Sequence, residues 1–213
     1  MIYDIIIPTT DKDLKTLEEC IQQCKKHLNH RRIIVVSKQK YTESAEWFSE
    51  DRYPFNFKNM ETYIGDHWRK GWYLQQLLKL YSFFIIPNIA DNILILDSDT
   101  LILRKIEFFE EDKPLYNTSR AHHKPYFRHM EQLLPELKRI TKSGITHHMI
   151  FQRNIMLDLF NKVEEYHDEE FWKVFLSLVD LEQKSGASEY EIYYNFIQIY
   201  HQNKFKIRNL KWE

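Results

Sequence analysis

The chain has 213 residues, 43% hydrophobic and 29% charged, with a formal net charge of −1. That length can bury a sizeable core, and that composition is ordinary for a globular protein. Balanced, scattered charge gives no basic stripe, which argues against nucleic acid or an anionic membrane as the main partner. Aromatics reach 15%, more than a core needs and suited to stacking on planar or sugar-like ligands. Cys20 and Cys24 lie one helical turn apart, which is no disulfide framework and half a zinc site at most. No apolar run approaches the about 18 residues of a membrane span, and the N-terminal run is too short for a signal peptide. The expectation is a cytoplasmic protein.

In chain order, IYDIIIP (2–8) predicts a buried strand stopped by Pro8. Leu14, Leu17, Ile21, Cys24 and Leu28 then mark one apolar helix face behind a Thr/Asp cap. RRIIVVS (31–37) predicts a second strand, which completes a βαβ unit with a parallel pair. Residues 38–67 have weak periodicity and predict a loop with one helical turn near Glu43–Phe48. WRKGWYLQQLLKLYSFFIIP predicts a helix over 68–87, with Leu74, Leu77, Leu78 and Tyr81 toward the core. Trp72, Gln75 and Lys79 form a separate stripe by i, i+3, i+7 spacing.

NILILDSDTLIL predicts a central strand, an acidic pair and a short second strand. Further strands are predicted at 114–119 and 143–152. Helices are predicted over 124–140, 154–166, EEFWKVFLSLVDLE and 188–201, and an edge strand over KFKIRNLKW. There is no internal repeat or linker. The fold class is α/β, one domain over 1–213 with a mostly parallel mixed central sheet flanked by helices.

The chemistry centres on Asp97-Ser98-Asp99. A second D-x-D, Asp11-Lys12-Asp13, reads as helix capping and a favourable dipole contact. The later pair instead follows four apolar residues, so its acids emerge at the carboxyl end of a central strand, where open α/β sheets bind ligands. Two acids there repel unless a cation accompanies them, and Mg2+ or Mn2+ shared with substrate phosphates is the usual solution. A turn is the plainer alternative. A D-x-D phosphatase of the haloacid dehalogenase type is another, but Leu101 stands where that motif expects Thr or Val. A third is a sugar-nucleotide or glycan binding module without turnover.

A first strand ending IPTT, a second ending VVS, a helix and then ILILDSDT resemble glycosyltransferases of the GT-A (nucleotide-diphospho-sugar transferase) fold. IGDHWRKGWYLQQLLKLY, PLYNT, HKPYF, SGITHHM and GASEYEIYYNF are similar, more narrowly, to a family of bacterial and large-virus proteins assigned to that group. The resemblance spans essentially the whole chain. It implies a metal-dependent transferase moving a sugar from a nucleoside diphosphate, UDP by family habit, to an acceptor hydroxyl on a glycan or glycoconjugate.

Carried onto this chain, the resemblance gives Pro8, Thr9 and Ser37 to the nucleotide, unless the hydroxyls simply cap turns. Asp97 and Ser98 would lie by the ribose or ion, and Asp99 would ligate the ion directly. Lys79, with Gln75, would face the diphosphate, and Arg69 would serve phosphate or donor sugar. Strict alternation puts His147 on a core face, which leaves His148 as third metal ligand; His201 stays an alternative. Ser143-Gly144 would lie beneath the donor sugar. Ser188 and Glu191 fit a capping box, which frees Glu189 as the acceptor-side acid, a base in an inverting enzyme or a nucleophile or cation stabiliser in a retaining one. Alternatively, Glu189 is an exposed acid favoured by the helix dipole.

Overall fold

The structure is a computed structural model and describes residues 1–210. Its main sheet has strand order β3-β2-β1-β4-β7. These strands are β1 (Asp4–Pro8), β2 (Ile33–Ser37), β3 (Glu46–Ser49), β4 (Asn92–Leu96) and β7 (His148–Gln152). β1 to β4 run parallel, and β7 pairs antiparallel with β4. Every residue of β1 and β2 is buried, as expected of apolar runs covered on both faces. Each strand is too short and too apolar to show an alternating pattern.

β1 leads through α1 (Leu14–His27) to β2, and the chain then steps outward to β3. β4 docks on the opposite side of β1. The chain order therefore reverses between β1 and β4, and the loops leaving their carboxyl ends diverge there. Such a switch point opens a crevice where α/β sheets bind ligands.

Two elements differ from the loop predicted over 38–67. β3, a half-exposed edge strand, stands where a helical turn near Glu43–Phe48 is expected, and α2 (Phe57–Ile64) buries Met60 and Ile64. α2 is capped by Asn56, whose side chain accepts from the Asn59 amide while Asn59 reaches back. Asn in both capping positions replaces the usual Ser/Thr and Glu, so the signature was easily missed. At the other end, Gly65 takes a left-handed φ of 57°, open to glycine at little cost.

α3 (Lys70–Ile85) ends before Pro87 and is buried on nearly all sides. α4 (Lys124–Leu133) stops short of the predicted 140, two residues before Pro135. The strand expected directly after the acids is irregular, with Leu101 and Leu103 exposed. α5 (Arg153–His167), α6 (Phe171–Ser177) and α7 (Glu189–Tyr200) complete the layers, with α7 buried from Glu189 through Gln198. β5 (Phe109–Glu110), β6 (Lys113–Tyr116) and β8 (Lys206–Ile207) form a small second sheet. The strand predicted over 204–212 is thus two residues long among the described residues; its Lys211 and Trp212 lie outside them.

Most of the aromatic excess goes into the core, where phenols satisfy buried backbone groups. Tyr116 donates to the Ile150 carbonyl, and Tyr73, Tyr81 and Tyr193 accept from the amides of Gly186, Trp172 and Gln152. A buried amide left unpaired would cost about 1–3 kcal/mol, so these tyrosines tie helices and strands together. No described helix is long and apolar enough to cross a membrane.

Candidate active site

Asp97 follows the last residue of β4, and its amide donates to the His147 carbonyl at 3.1 Å. Its carboxylate is the hub of a buried ionic cluster. Lys79 donates from α3 to Oδ1 at 2.5 Å and to Glu189 Oε1 at 2.7 Å. Tyr190 donates its hydroxyl to the same Asp97 Oδ1 at 3.2 Å, and its ring lies under the Lys79 ammonium at 4.6 Å. On the other oxygen, His147 Nδ1 approaches Oδ2 at 3.0 Å. α3, α7 and the turn before β7 therefore all converge on the end of β4.

The charges follow from this geometry. Burial alone would push the Lys79 ammonium down, but Asp97 and Glu189 outweigh it and hold its pKa well above the ordinary lysine value. Burial likewise works against the Asp97 carboxylate, yet Lys79 and His147 hold it well below the usual carboxylate range. The hydrogen bond to Asp97 raises His147. Burial, followed by the nearby Asp97 charge, keeps the Tyr190 phenol protonated and able to donate.

Asp99, two residues on, is exposed and has no hydrogen-bond or ion-pair partner among the described residues. Ser98 between the acids is buried and donates to Asp13 Oδ2 at 3.1 Å. This corrects the reading of Asp11-Lys12-Asp13 as a cap. Asp13 precedes α1 without any side-chain capping bond, and instead joins the β1 loop to the D-x-D loop across the switch point.

The histidines exchange places relative to expectation. His147 has φ of 59°, which breaks the strand alternation just before β7 begins. His147 consequently points its exposed ring at Asp97. His148, expected as the third metal ligand, is buried, bonded through Nε2 to Asn117 at 2.9 Å, and pushed down to about 4 chiefly by burial. His201 lies at the far end of α7, bonded to Asp158 at 2.8 Å. Twelve residues of helix place it about 18 Å from Glu189. Neither expected histidine stands at the acids.

The remaining expected residues divide. Lys79 is at the centre. Glu189 is buried, not exposed, and its carboxylate is taken by Lys79; it acts on Asp97 through that lysine. Gln75 is half-buried one turn outward. Its neighbour Gln76, which periodicity did not single out, accepts from the Glu189 amide at 2.9 Å, and its own buried Nε2 has no hydrogen-bond partner among the described residues. Pro8 ends β1, and Thr9 donates to the next carbonyl. Ser37 donates to Gln39 O at 2.7 Å, a turn contact. Arg69 precedes the first residue of α3, ten residues before Lys79 and about 15 Å along the helix, too far to share one phosphate with it. Ser143 and Gly144 support α7: they bond the Glu191 carboxylate, whose pKa burial raises, and a Cβ on Gly144 would sit 2.5 Å from Tyr194 Cβ.

No group of three or more His, Cys, Asp or Glu among the described residues could hold a metal alone. The donors at hand are the Asp99 carboxylate and one oxygen of Asp97, with the His147 ring beside it. That set fits a hard cation completed by substrate phosphates, which needs only one or two protein carboxylates. It does not fit an ion held by the protein alone.

A cavity of about 190 Å³ is lined by Lys38, Glu50, Asp51, Phe55, Asn56 and Leu74, among others. It sits at the carboxyl ends of β2 and β3, the same sheet edge as Asp97. A larger one of about 390 Å³ lies between α4 and the end of α6, away from the acids.

The sequence model of a family of unknown function, DUF6492, matches residues 3–210. No curated protein matches the sequence. Among solved structures, the fold is similar to the apo form of mouse xyloside xylosyltransferase 1, with a TM-score of 0.52 and 12% identity. That alignment covers 98% of this chain and 86% of the mouse chain. The shared feature is a glycosyltransferase fold.

Proposed function

The chain belongs to DUF6492, and on its fold and site we propose that it transfers a sugar from a nucleoside-diphosphate donor to an acceptor hydroxyl on a glycan or glycoconjugate. One observation carries the reading: the two acids at the switch point stand in opposite states. Asp97 is neutralised by Lys79 and oriented by His147 and Tyr190, whereas Asp99 has no partner among the described residues. An exposed carboxylate beside a neutralised one is suited to an external cation shared with phosphate. The likeness to a xylosyltransferase supports the same class of chemistry.

In this reading Asp99 and the Oδ2 atom of Asp97 hold Mg2+ or Mn2+. When bound, that ion offsets the charge developing on the diphosphate leaving group. Pro8 and Thr9 border the nucleotide on the β1 side, Ser98 keeps the two loops together, and the cavity beside Lys38 takes the base, uridine being the first candidate. Ser37 and Ser143-Gly144 contribute through the backbone turns they stabilise. Lys79 has its charge absorbed by two acids, so it fixes Asp97 instead of gripping phosphate. Glu189 positions Lys79. To act as a base it would have to leave that lysine.

The Lys79–Glu189 pair favours one second reading, a module that binds sugar nucleotides without turnover. Turnover separates the two. Incubation with a panel of UDP- and GDP-sugars and Mn2+, with free nucleoside diphosphate measured, should show release from at least one donor and its loss in Asp99→Asn. Tight binding with no release from any donor, in the presence of a glycan mixture, would establish the binding module instead.

A further inference from the structure

Outward from the ionic cluster along α3, the stripe Lys79, Gln75, Trp72 leads to a strip of rings at the surface. Trp68 is 69% exposed, an unusual state for the largest apolar side chain. The Arg69 guanidinium lies 5.4 Å from the Trp68 ring and 4.4 Å from the Trp72 ring, between the two indoles. Trp72 continues to Tyr126, near-parallel at 29° with centroids 6.1 Å apart. Tyr126 in turn is fixed by its hydroxyl on Ser185, at 3.1 Å. Ser185 lies on the segment that enters α7 just before Glu189.

Two features say what this strip takes. Flat, half-exposed rings in series suit the C–H faces of sugar rings, which lie on an aromatic surface while their hydroxyls stay in water. Exposed apolar patches of this kind mark binding surfaces, and rings held in place lose little freedom on binding. The second feature is charge. The acids nearest Arg69 in sequence, Glu61 and Asp66, are both taken by Lys70, at 2.5 and 3.0 Å. Arg69 has no carboxylate partner among the described residues. A guanidinium fixed between rings with its N–H edges unused suits a planar anion.

The strip also has the right position. Seven residues separate Trp72 from Lys79, about 10 Å along the helix, a span that a short saccharide covers. The Tyr126 phenol feels the charges of both Arg69 and Glu189, so strip and cluster are electrostatic neighbours.

We propose that Trp68, Arg69, Trp72 and Tyr126 form the acceptor platform, and that the acceptor is an acidic saccharide whose ring stacks on the exposed Trp68 indole while its anionic group meets Arg69, which Trp72 and Tyr126 hold in place from behind. This rests on the transferase reading above. It also moves Arg69 from the donor to the acceptor.

The test is an array of neutral and acidic oligosaccharides, uronate- and sulfate-bearing, probed with wild-type protein and three variants. Wild type should be retained on acidic saccharides above neutral ones of equal length. Trp68→Ala, at an exposed position that cannot unfold the core, should lower retention at least tenfold. Arg69→Gln should abolish the acidic preference, and Tyr166→Ala, an exposed ring on α5 (59%), should leave retention unchanged. Retention unaffected by Trp68→Ala, preference for neutral saccharides, or no retention on any spot overturns the platform. Titration of UDP on the same preparations keeps the failures apart: UDP binding with any of those results sinks the platform alone, and absence of UDP binding sinks the transferase reading.

Discussion

Two buried aspartates sit at opposite ends of the central sheet, and they are neutralised in different ways. Asp4, at the amino end of β1, is fully buried. Arg31 grips it with two hydrogen bonds at 2.8 and 2.6 Å, Arg32 adds a third at 3.3 Å, and the Ala90 amide a fourth at 2.9 Å. Asp97, at the carboxyl end, is compensated chiefly by one lysine that it shares with Glu189, with the exposed His147 ring and the Tyr190 hydroxyl as further partners, and part of it faces solvent. Fork-shaped arginines saturate a carboxylate and leave it inert. A shared point charge compensates without saturating: the Oδ2 atom of Asp97 has the exposed His147 ring as its partner, and the exposed Asp99 carboxylate has none among the described residues. Both ends satisfy the rule that buried charges are paired, but only one retains capacity for a ligand.

The largest expected effect comes from removing the shared cation. Lys79→Met leaves the buried Glu189 uncompensated and Asp97 with His147 alone, and should cost about 3–5 kcal/mol of stability, read as a lowered urea midpoint. Adding Glu189→Gln should recover part of that loss; no recovery would mean that Lys79 is not the bridge. A buried ionisable group with no counter-charge gives the next case. His129 donates to the Phe175 carbonyl, has no partner for its other nitrogen among the described residues, and is pushed down to about 4 by burial. Its folded pKa lies below its unfolded one, so the folded state binds fewer protons as pH falls below about 6.5. Stability is full above that pH and should fall by about 3 kcal/mol as pH drops toward 4. His148 is depressed similarly, so His129→Gln should roughly halve the slope of stability against pH between about 5 and 6. An unchanged slope would contradict a buried neutral His129.

At the amino end, Arg31→Met removes the fork but leaves Arg32 and the Ala90 amide on Asp4. It should cost about 2 kcal/mol, the worth of charged hydrogen bonds, with UDP affinity unchanged. A parallel loss of UDP binding would mean that the two ends are coupled. The smallest stability effect belongs to Asp99→Asn, within about 0.5 kcal/mol as for surface substitutions generally. A large loss of stability there would show that Asp99 has a structural partner.

The βαβ start, β4 and the long helices were legible because buried apolar runs and 3.6-residue stripes carry unambiguous periods. Lys79 was legible as a member of the Trp72–Gln75 stripe, though its complete burial was not. Gln76 escaped because a helix covered on nearly all sides has no polar face to read. β3 and α2 escaped because one is a half-exposed edge and the other is capped by paired asparagines. The histidine exchange turned on one backbone angle: with φ positive at His147, regular alternation starts only at His148, where β7 begins, and not at 143 as the sequence pattern predicts. Asp13 looked like a cap because its true partner, Ser98, is 85 residues away. Tertiary pairing of that kind leaves no local trace.

The central claim is that Asp99, with the Oδ2 atom of Asp97 beside it, takes a cation carrying a diphosphate. Calorimetric titration of UDP in Mn2+ into wild-type protein and Asp99→Asn tests it most directly. The account predicts binding to wild type and at least tenfold weaker binding to the variant, with both equally folded. Equal affinity in the two proteins, or no uptake of UDP or GDP by wild type with Mn2+ present, would contradict it.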